Sequence, residues 1–217
     1  MPFRPCDWNV IIPGRWNRAI LSPGEIAENI FDLQDKKDLQ VEVPMDGVSP
    51  FTVKHPNEQI AVSGASGKLR IDVLAPTYES LQYGMQAGVK ALEWLPKTPV
   101  EAVGFNIGYE ADEVPEPVLR LVTSDLDAAV ADKGLQVTAR TISRAARFGE
   151  GVVNIVLTAD DQKSRLLLNF HRASNDVGEL IGWLQTPIKS VRETAENILK
   201  ALCVEVTEEE EHADERS

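Results

Sequence analysis

Residues 60–95 read IAVSGASGKLRIDVLAPTYESLQYGMQAGVKALEWL, and this stretch decides the fold. Ile60 and Val62 alternate with small or polar neighbours, as do Leu69, Ile71 and Val73 after the turn Gly64-Ala65-Ser66-Gly67. A period of about two predicts antiparallel strands with one covered and one wet face. The period then changes to that of a helix. Tyr78, Leu81, Met85, Val89, Leu92 and Leu95 fall on one face of a helix from about 76 to 95, which Pro96 ends. An apolar sheet face followed at once by an apolar helix face predicts that the two pack together.

Upstream, Trp8, Val10 and Ile12 share one face of a strand at Asp7–Ile12, and Pro13-Gly14 breaks it. A short extended piece, Trp16–Leu21, is expected next. Ser22-Pro23-Gly24-Glu25 has the pattern of a capping box with Pro at the first helical position. Ile26, Ile30 and Leu33 give that helix its stripe, and the polar run 34–38 stops it. Alternation at Val41, Val43 and Met45, and again at Phe51 and Val53, predicts two more strands. Downstream the order returns. Val103, Phe105, Ile107 and Tyr109 mark a strand. One helix is expected between Pro115-Glu116-Pro117 and Gly134, with Val118, Leu121, Val122, Leu126 and Val130 buried. Strands follow at Leu135–Ser143, Val152–Thr158 and Arg165–His171. A last helix, about 175–202, should kink at Pro187.

The expected class is therefore α+β. Pseudo-duplicated β-α-β(3–4)-α units would form a largely antiparallel sheet, covered on one side by two long helices. The halves would be 1–96 and 97–204, packed as one domain, and the sequence is compatible with one sheet or two adjoining sheets. This order of elements resembles the TATA-binding-protein-like fold and, more loosely, helix-grip folds. The resemblance is topological, spans most of the chain, carries no diagnostic motif and implies no function.

The chain has 217 residues and a net charge of -12. Residues 205–217 hold seven acidic side chains and one basic one, which is half of that charge. With almost no apolar residue beyond Val206, this tail is expected to be disordered. The acidic balance opposes generic nucleic-acid binding, which needs surplus Lys and Arg. No secretory leader and no run of about 18 apolar residues is read, so a cytoplasmic location without membrane contact is expected. Cys6 and Cys203, far apart, suggest two reduced thiols rather than a disulfide framework.

Chemistry-bearing motifs are weak. His55, His171 and His212 show no metal-binding spacing. Gly64–Lys68 lacks both the first glycine of a phosphate loop and the Ser or Thr after the lysine, and a strand follows it. No dinucleotide fingerprint or nucleophile elbow is present. Asp160-Asp161 reads as a hairpin tip. No cofactor, metal or catalytic residue is assigned. Two basic features qualify for partner binding. Arg15, Trp16 and Arg18 combine residue types common in binding hot spots, unless Trp16 packs under the first helix. Arg140, Arg144 and Arg147 form a strip that either meets an anion or pairs with surface carboxylates.

These features favour a non-enzymatic protein-interaction module, an adaptor or regulatory subunit of a larger assembly, with homo-oligomerisation also open. The alternative is a small-molecule or lipid carrier, its cavity lined by Met85, Trp94, Phe170 and Trp183. An enzyme working through dispersed carboxylates such as Asp72 or Glu101, and a nucleic-acid-binding saddle, stand behind these.

Overall fold

β1 (Arg4–Pro13) opens the fold in the computed structural model, which describes residues 2–33, 39–46, 48–55, 57–65 and 67–206. α1 (Pro23–Asn29) follows, with the Ser22 hydroxyl accepting from the Glu25 amide as the capping pattern requires. Next come β2 (Gln40–Glu42), β3 (Thr52–His55), β4 (Ile60–Ala65) and β5 (Lys68–Val73), then α2 (Tyr78–Trp94), capped by Thr77. The remainder is β6 (Ala102–Ala111), α3 (Glu116–Val122), α4 (Asp125–Ala131), β7 (Ala139–Phe148), β8 (Gly151–Asp160), β9 (Ser164–Ala173), α5 (Val177–Leu184) and α6 (Ile188–Ala201). Among the described residues these nine strands form one antiparallel sheet in the order β2-β3-β4-β5-β1-β6-β9-β8-β7. The class is α+β, and the choice between one sheet and two falls to one.

The alternation seen in the sequence becomes two unlike faces. Partners across a strand pair share a face, so the registers trace rows across the sheet. One row runs Val53, Val62, Ile71, Val10, Phe105, Phe170 and Val153, and every member is buried. The helices pack on this side. A Cβ on Gly84 of α2 would touch Val10, Ile71 and Val73. Trp183 of α5 stacks on Phe105, and Phe31, just after α1, meets His55 edge-on. The opposite face carries no helix.

Five expectations change. The strand read at Leu135–Ser143 is β7, Ala139–Phe148, and Leu135 is left exposed in the loop before it. The helix read between Pro115 and Gly134 is two, because Thr123 and Ser124 adopt extended backbone. Val118 and Val122 are buried, but Leu121 and Leu126 are exposed, and α4 buries nothing. Thr, Ser and the following aspartates favour a new helix start over continuation. The helix at 175–202 is also two. Pro187 is the N-cap of α6, and the residue before a proline avoids helical backbone, so a break replaces the kink. Trp16–Leu21 is a loop and turn rather than a strand, held by amides of Ile20 and Leu21 on the Asn17 carbonyl. The Val41–Met45 strand stops at Glu42, leaving Val43 71% and Met45 99% exposed. At the C-terminus the Phe3 amide donates to the Glu205 carbonyl and Val206 bridges Phe3 in parallel. The rest of the expected acidic tail, 207–217, lies outside the described residues. Among the described residues no helix is long and apolar enough to cross a membrane.

The β3–β4 hairpin has a pH-sensitive fastening. Nδ1 of buried His55 accepts from the amides of Asn57 and Glu58 at 3.2 and 3.1 Å. Both bonds require an unprotonated Nδ1. Burial lowers the His55 pKa from 6.5; Glu58 opposes this and Lys90 adds to it. A depressed folded pKa means that the neutral ring stabilises the fold fully above about pH 6.5 and loses that contribution as the pH falls. Urea unfolding at pH 7.5 and pH 5 should therefore show a fall in stability, and His55→Asn should flatten it. An equal pH response in the variant would sink this assignment.

Candidate interaction surface

The centre of the uncovered face is a ladder of four asparagines. Asn9, Asn106, Asn169 and Asn154 lie side by side on β1, β6, β9 and β8. The Asn154 amide donates to the Asn169 carbonyl oxygen at 3.0 Å. Asn169 donates to Asn106, and Asn106 to Asn9, both at 2.8 Å. Asn9 closes the chain by donating to the Asp7 backbone carbonyl at 3.0 Å. A carboxamide has two N–H groups, and this chain of bonds spends one from each residue. A line of donors and acceptors therefore crosses the strands at the sheet's roughly 4.8 Å strand spacing.

Backbone geometry keeps the floor around the ladder low. Gly104 and Gly108 flank Asn106 on the same face of β6. A Cβ on Gly104 would lie 3.0 Å from the Phe170 carbonyl, and one on Gly108 only 2.3 Å from the Cys6 carbonyl. That second approach comes from a β-bulge. The β1–β6 register shifts between Cys6 and Asn9, and Asp7 takes a φ of 52°. The bulge turns Trp8 inward, where its indole N–H donates to the Gly108 carbonyl at 2.9 Å and its ring meets Tyr78 and Tyr109. It leaves the Asp7 carboxylate to pair with Arg165 at 2.6 Å.

Most charges on this face are matched. Arg4 bonds Glu110 and Asp112, Arg70 bonds Asp72, and Lys54 bonds Glu42. Arg147 and Lys68 have no carboxylate among the described residues. The Cys6 thiol is pushed up to about 11, first by burial and then by Glu110. It stays protonated near neutrality, which is the wrong state for a nucleophile.

The structure separates the sequence candidates. Trp16 is buried, and its indole N–H donates to the Ile12 carbonyl at 2.9 Å, so it belongs to the core and the binding reading of that residue is corrected. Arg15 and Arg18 beside it are exposed, at the end of β1. Arg140 is tied to Asp127 of α4 at 2.6 Å. Arg144 is exposed and donates to the neighbouring Ser143 carbonyl. Arg147 alone of the three lies on the uncovered face, in the row Arg147, Val152, His171, Gly104 and Ile11. The six residues are thus not one cluster. The asparagine ladder escaped the sequence reading. Its signal was there: Asn is uncommon in strands, yet four strands each place one between two core-facing residues.

The residues named for a carrier cavity are packed into the core. Phe170 stacks on Phe105 with centroids 5.0 Å apart, Met85 and Trp183 are buried, and Trp94 is half-buried. The clefts that remain are open to solvent. One of about 630 Å³ lies between the β7–β8 turn and α5, with Phe148, Arg172, Glu179 and Trp183 on its walls. Another of about 420 Å³ runs between α2 and the α5–α6 joint. Among the described residues no three His, Cys, Asp or Glu side chains group in a way that would hold a metal ion.

No known protein family matches the chain, and no curated protein matches it. Among solved structures it is similar to the Methanococcus jannaschii TBP at a TM-score of 0.30 and 13% identity, over 94% of this chain and 99% of that one.

Proposed function

We propose that this chain is a non-enzymatic protein-interaction module, an adaptor or regulatory subunit of a larger cytoplasmic assembly, and that the uncovered sheet face receives the partner. The asparagine ladder carries this reading. It places half-buried Asn106, Asn169 and Asn154, each with one amide N–H not spent within the ladder, in a row on a face without helices, with buried Asn9 at its end. Such a line fits the backbone or amide-rich surface of another protein. Arg147, and more distantly Arg15 and Arg18, supply positive charge at the margins.

We also read the fold as two topologically matched halves, β1 to α2 and β6 to α6. The first strands, β1 and β6, meet at the middle, and the strand before each half's last helices lies outside its own first strand, β5 beside β1 and β9 beside β6. Asn9 then stands opposite Asn106 across the joint. In that arrangement the partner surface straddles both halves.

The test is quantitative capture from the native host with the full chain and with the double variant Asn169→Asp, Arg147→Glu. Arg147 is exposed, but Asp at the half-buried position 169 cannot donate to the Asn106 oxygen, so the variant should be less stable than the parent and capture is run well below its melting temperature, established by urea and thermal unfolding. Proteins retained by the parent and lost from the variant support the proposal. A parent that purifies alone, or an identical set captured by both, overturns it.

A further inference from the structure

β7 is a free edge of the sheet, and it lacks most of the devices that close an edge. It runs ten residues without a proline or a bulge, its register with β8 is unbroken, and none of its residues is buried. Its hairpin fixes which backbone groups point outward. Gly149-Glu150 is a two-residue turn with Gly149 at a φ of 49°, as a type II′ turn requires. Phe148 and Gly151 flank it as a bonded pair. The amides and carbonyls of Ala139, Thr141, Ser143, Ala145 and Arg147 therefore face away from β8. The Arg144 guanidinium donates to the Ser143 carbonyl at 2.7 Å, in keeping with that phase. Among the described residues none of these outward groups bonds the backbone of a loop or helix. All but Arg147 carry small side chains, so another strand can come close.

Charge selects the occupant. The chain has 34 acidic and 22 basic side chains, and it pairs Arg4, Arg70, Arg140, Arg165 and Arg172 with carboxylates. Arg144 and Arg147 have none among the described residues. Two β7 strands side by side would bring both copies' unmatched arginines to one seam, which guards the edge against a second copy. An acidic strand meets no such barrier. We propose that β7 accepts, as a tenth strand, an extended segment of a partner protein that carries two acidic residues three apart. Residues directly opposite share a face. Arg147 lies on the uncovered face, and Arg144, level with Ile155, Leu168 and Ile107, lies on the helix side. An antiparallel segment therefore presents one carboxylate to each face. An apolar residue opposite Phe148 would add to the aromatic wall of the cleft between the β7–β8 turn and α5. This inference concerns the edge rather than the open face, goes beyond the ladder reading and stands without it.

The probe is a labelled peptide, Val-Glu-Val-Thr-Glu-Thr-Val-Thr, whose glutamates fall opposite Arg147 and Arg144 when its first residue faces Phe148. Fluorescence anisotropy should show saturable binding to the full chain. Lysine in place of both peptide glutamates should weaken binding about tenfold or more, and the double variant Arg144→Glu, Arg147→Glu should reverse that preference. Both arginines are exposed, so the double variant keeps its fold. Ala145→Pro removes one outward amide and no bond to β8, so it should keep the parent's urea midpoint and weaken the peptide about tenfold or more. If the proline shifts that midpoint, the charge reversal decides. No binding by the parent overturns the proposal. So does binding that survives Ala145→Pro in a folded variant, since charge alone would then hold the peptide. Self-association of the free chain that Ala145→Pro abolishes also overturns it, by giving the edge to a second copy. Arg144 and Ala145 take part in no bond of the asparagine ladder, so failure here leaves the ladder reading standing.

Discussion

Gly108→Ala is expected to destabilise the fold by about 3 kcal/mol or more, far beyond the usual cost of one methyl group. The new Cβ would stand 2.3 Å from the Cys6 carbonyl oxygen and 3.4 Å from its sulfur. The nearest atom is backbone, so no side-chain rotation relieves the clash. Relief requires opening the bulge at Asp7, which also supports the Trp8 bond to the Gly108 carbonyl. The strain falls on the β1–β6 pairing, the joint on which both sides of the sheet converge. Gly182→Ala is the control. It lies within α5 with nothing within 4 Å of its would-be Cβ, and should gain about 0.5–1 kcal/mol from helix propensity. Urea titration of the two variants decides the matter. A Gly108→Ala midpoint close to the parent's would show that the bulge yields freely.

The opposed behaviour of these two glycines also shows how far the sequence speaks. Period and punctuation located most of the strands and the long α2, because those signals are local and tertiary packing agrees with them. Pro96 and Ser22 acted where they stand. The failures share a cause: a local pattern does not report what lies across from it. Leu121 and Leu126 fit a helical stripe, but Thr123 and Ser124 divide the helix and the leucines meet solvent. Val43 and Met45 alternate like strand residues, yet β3 pairs only as far as Glu42. Trp16 between two arginines fits either a hot spot or a core residue by sequence, and its buried indole nitrogen donates to the Ile12 carbonyl.

The ladder is the clearest case. Asn9, Asn106, Asn154 and Asn169 are each legible as odd strand residues. Their alignment depends on three strand registers, and one of those passes through a bulge. A bulge changes which face the following residues occupy, so counting by twos along β1 does not carry Asn9 and Cys6 to the same side. The structure supplies that shift, and only then do four scattered residues form a row.

Phe105→Ala should cost about 3–5 kcal/mol, the range for emptying a fully buried aromatic site. Phe105 has no exposed surface, and it sits at the middle of a ring cluster drawn from four elements. It stacks on Phe170 of β9 with planes 14° apart and on Trp183 of α5 at 6.1 Å, while Phe148 of β7 meets Phe170 and Trp183 edge-on. Trp183 has no hydrogen-bond partner for its buried indole N–H among the described residues, so ring packing must hold it. Removing Phe105 takes away the surface beneath α5 as well as one side chain. The near-ultraviolet signal of Trp183 should weaken with the stability, and Phe105→Leu should recover most of both by refilling the volume. A Phe105→Ala protein within 1 kcal/mol of the parent would mean that α5 is held to the sheet elsewhere. Because Phe105 and Asn106 are adjacent on β6 and point to opposite faces, the same variant tests whether core and ladder are coupled. Loosened packing below should leave the bond from Asn169 to Asn106 intact only if backbone register, rather than the rings, fixes the ladder.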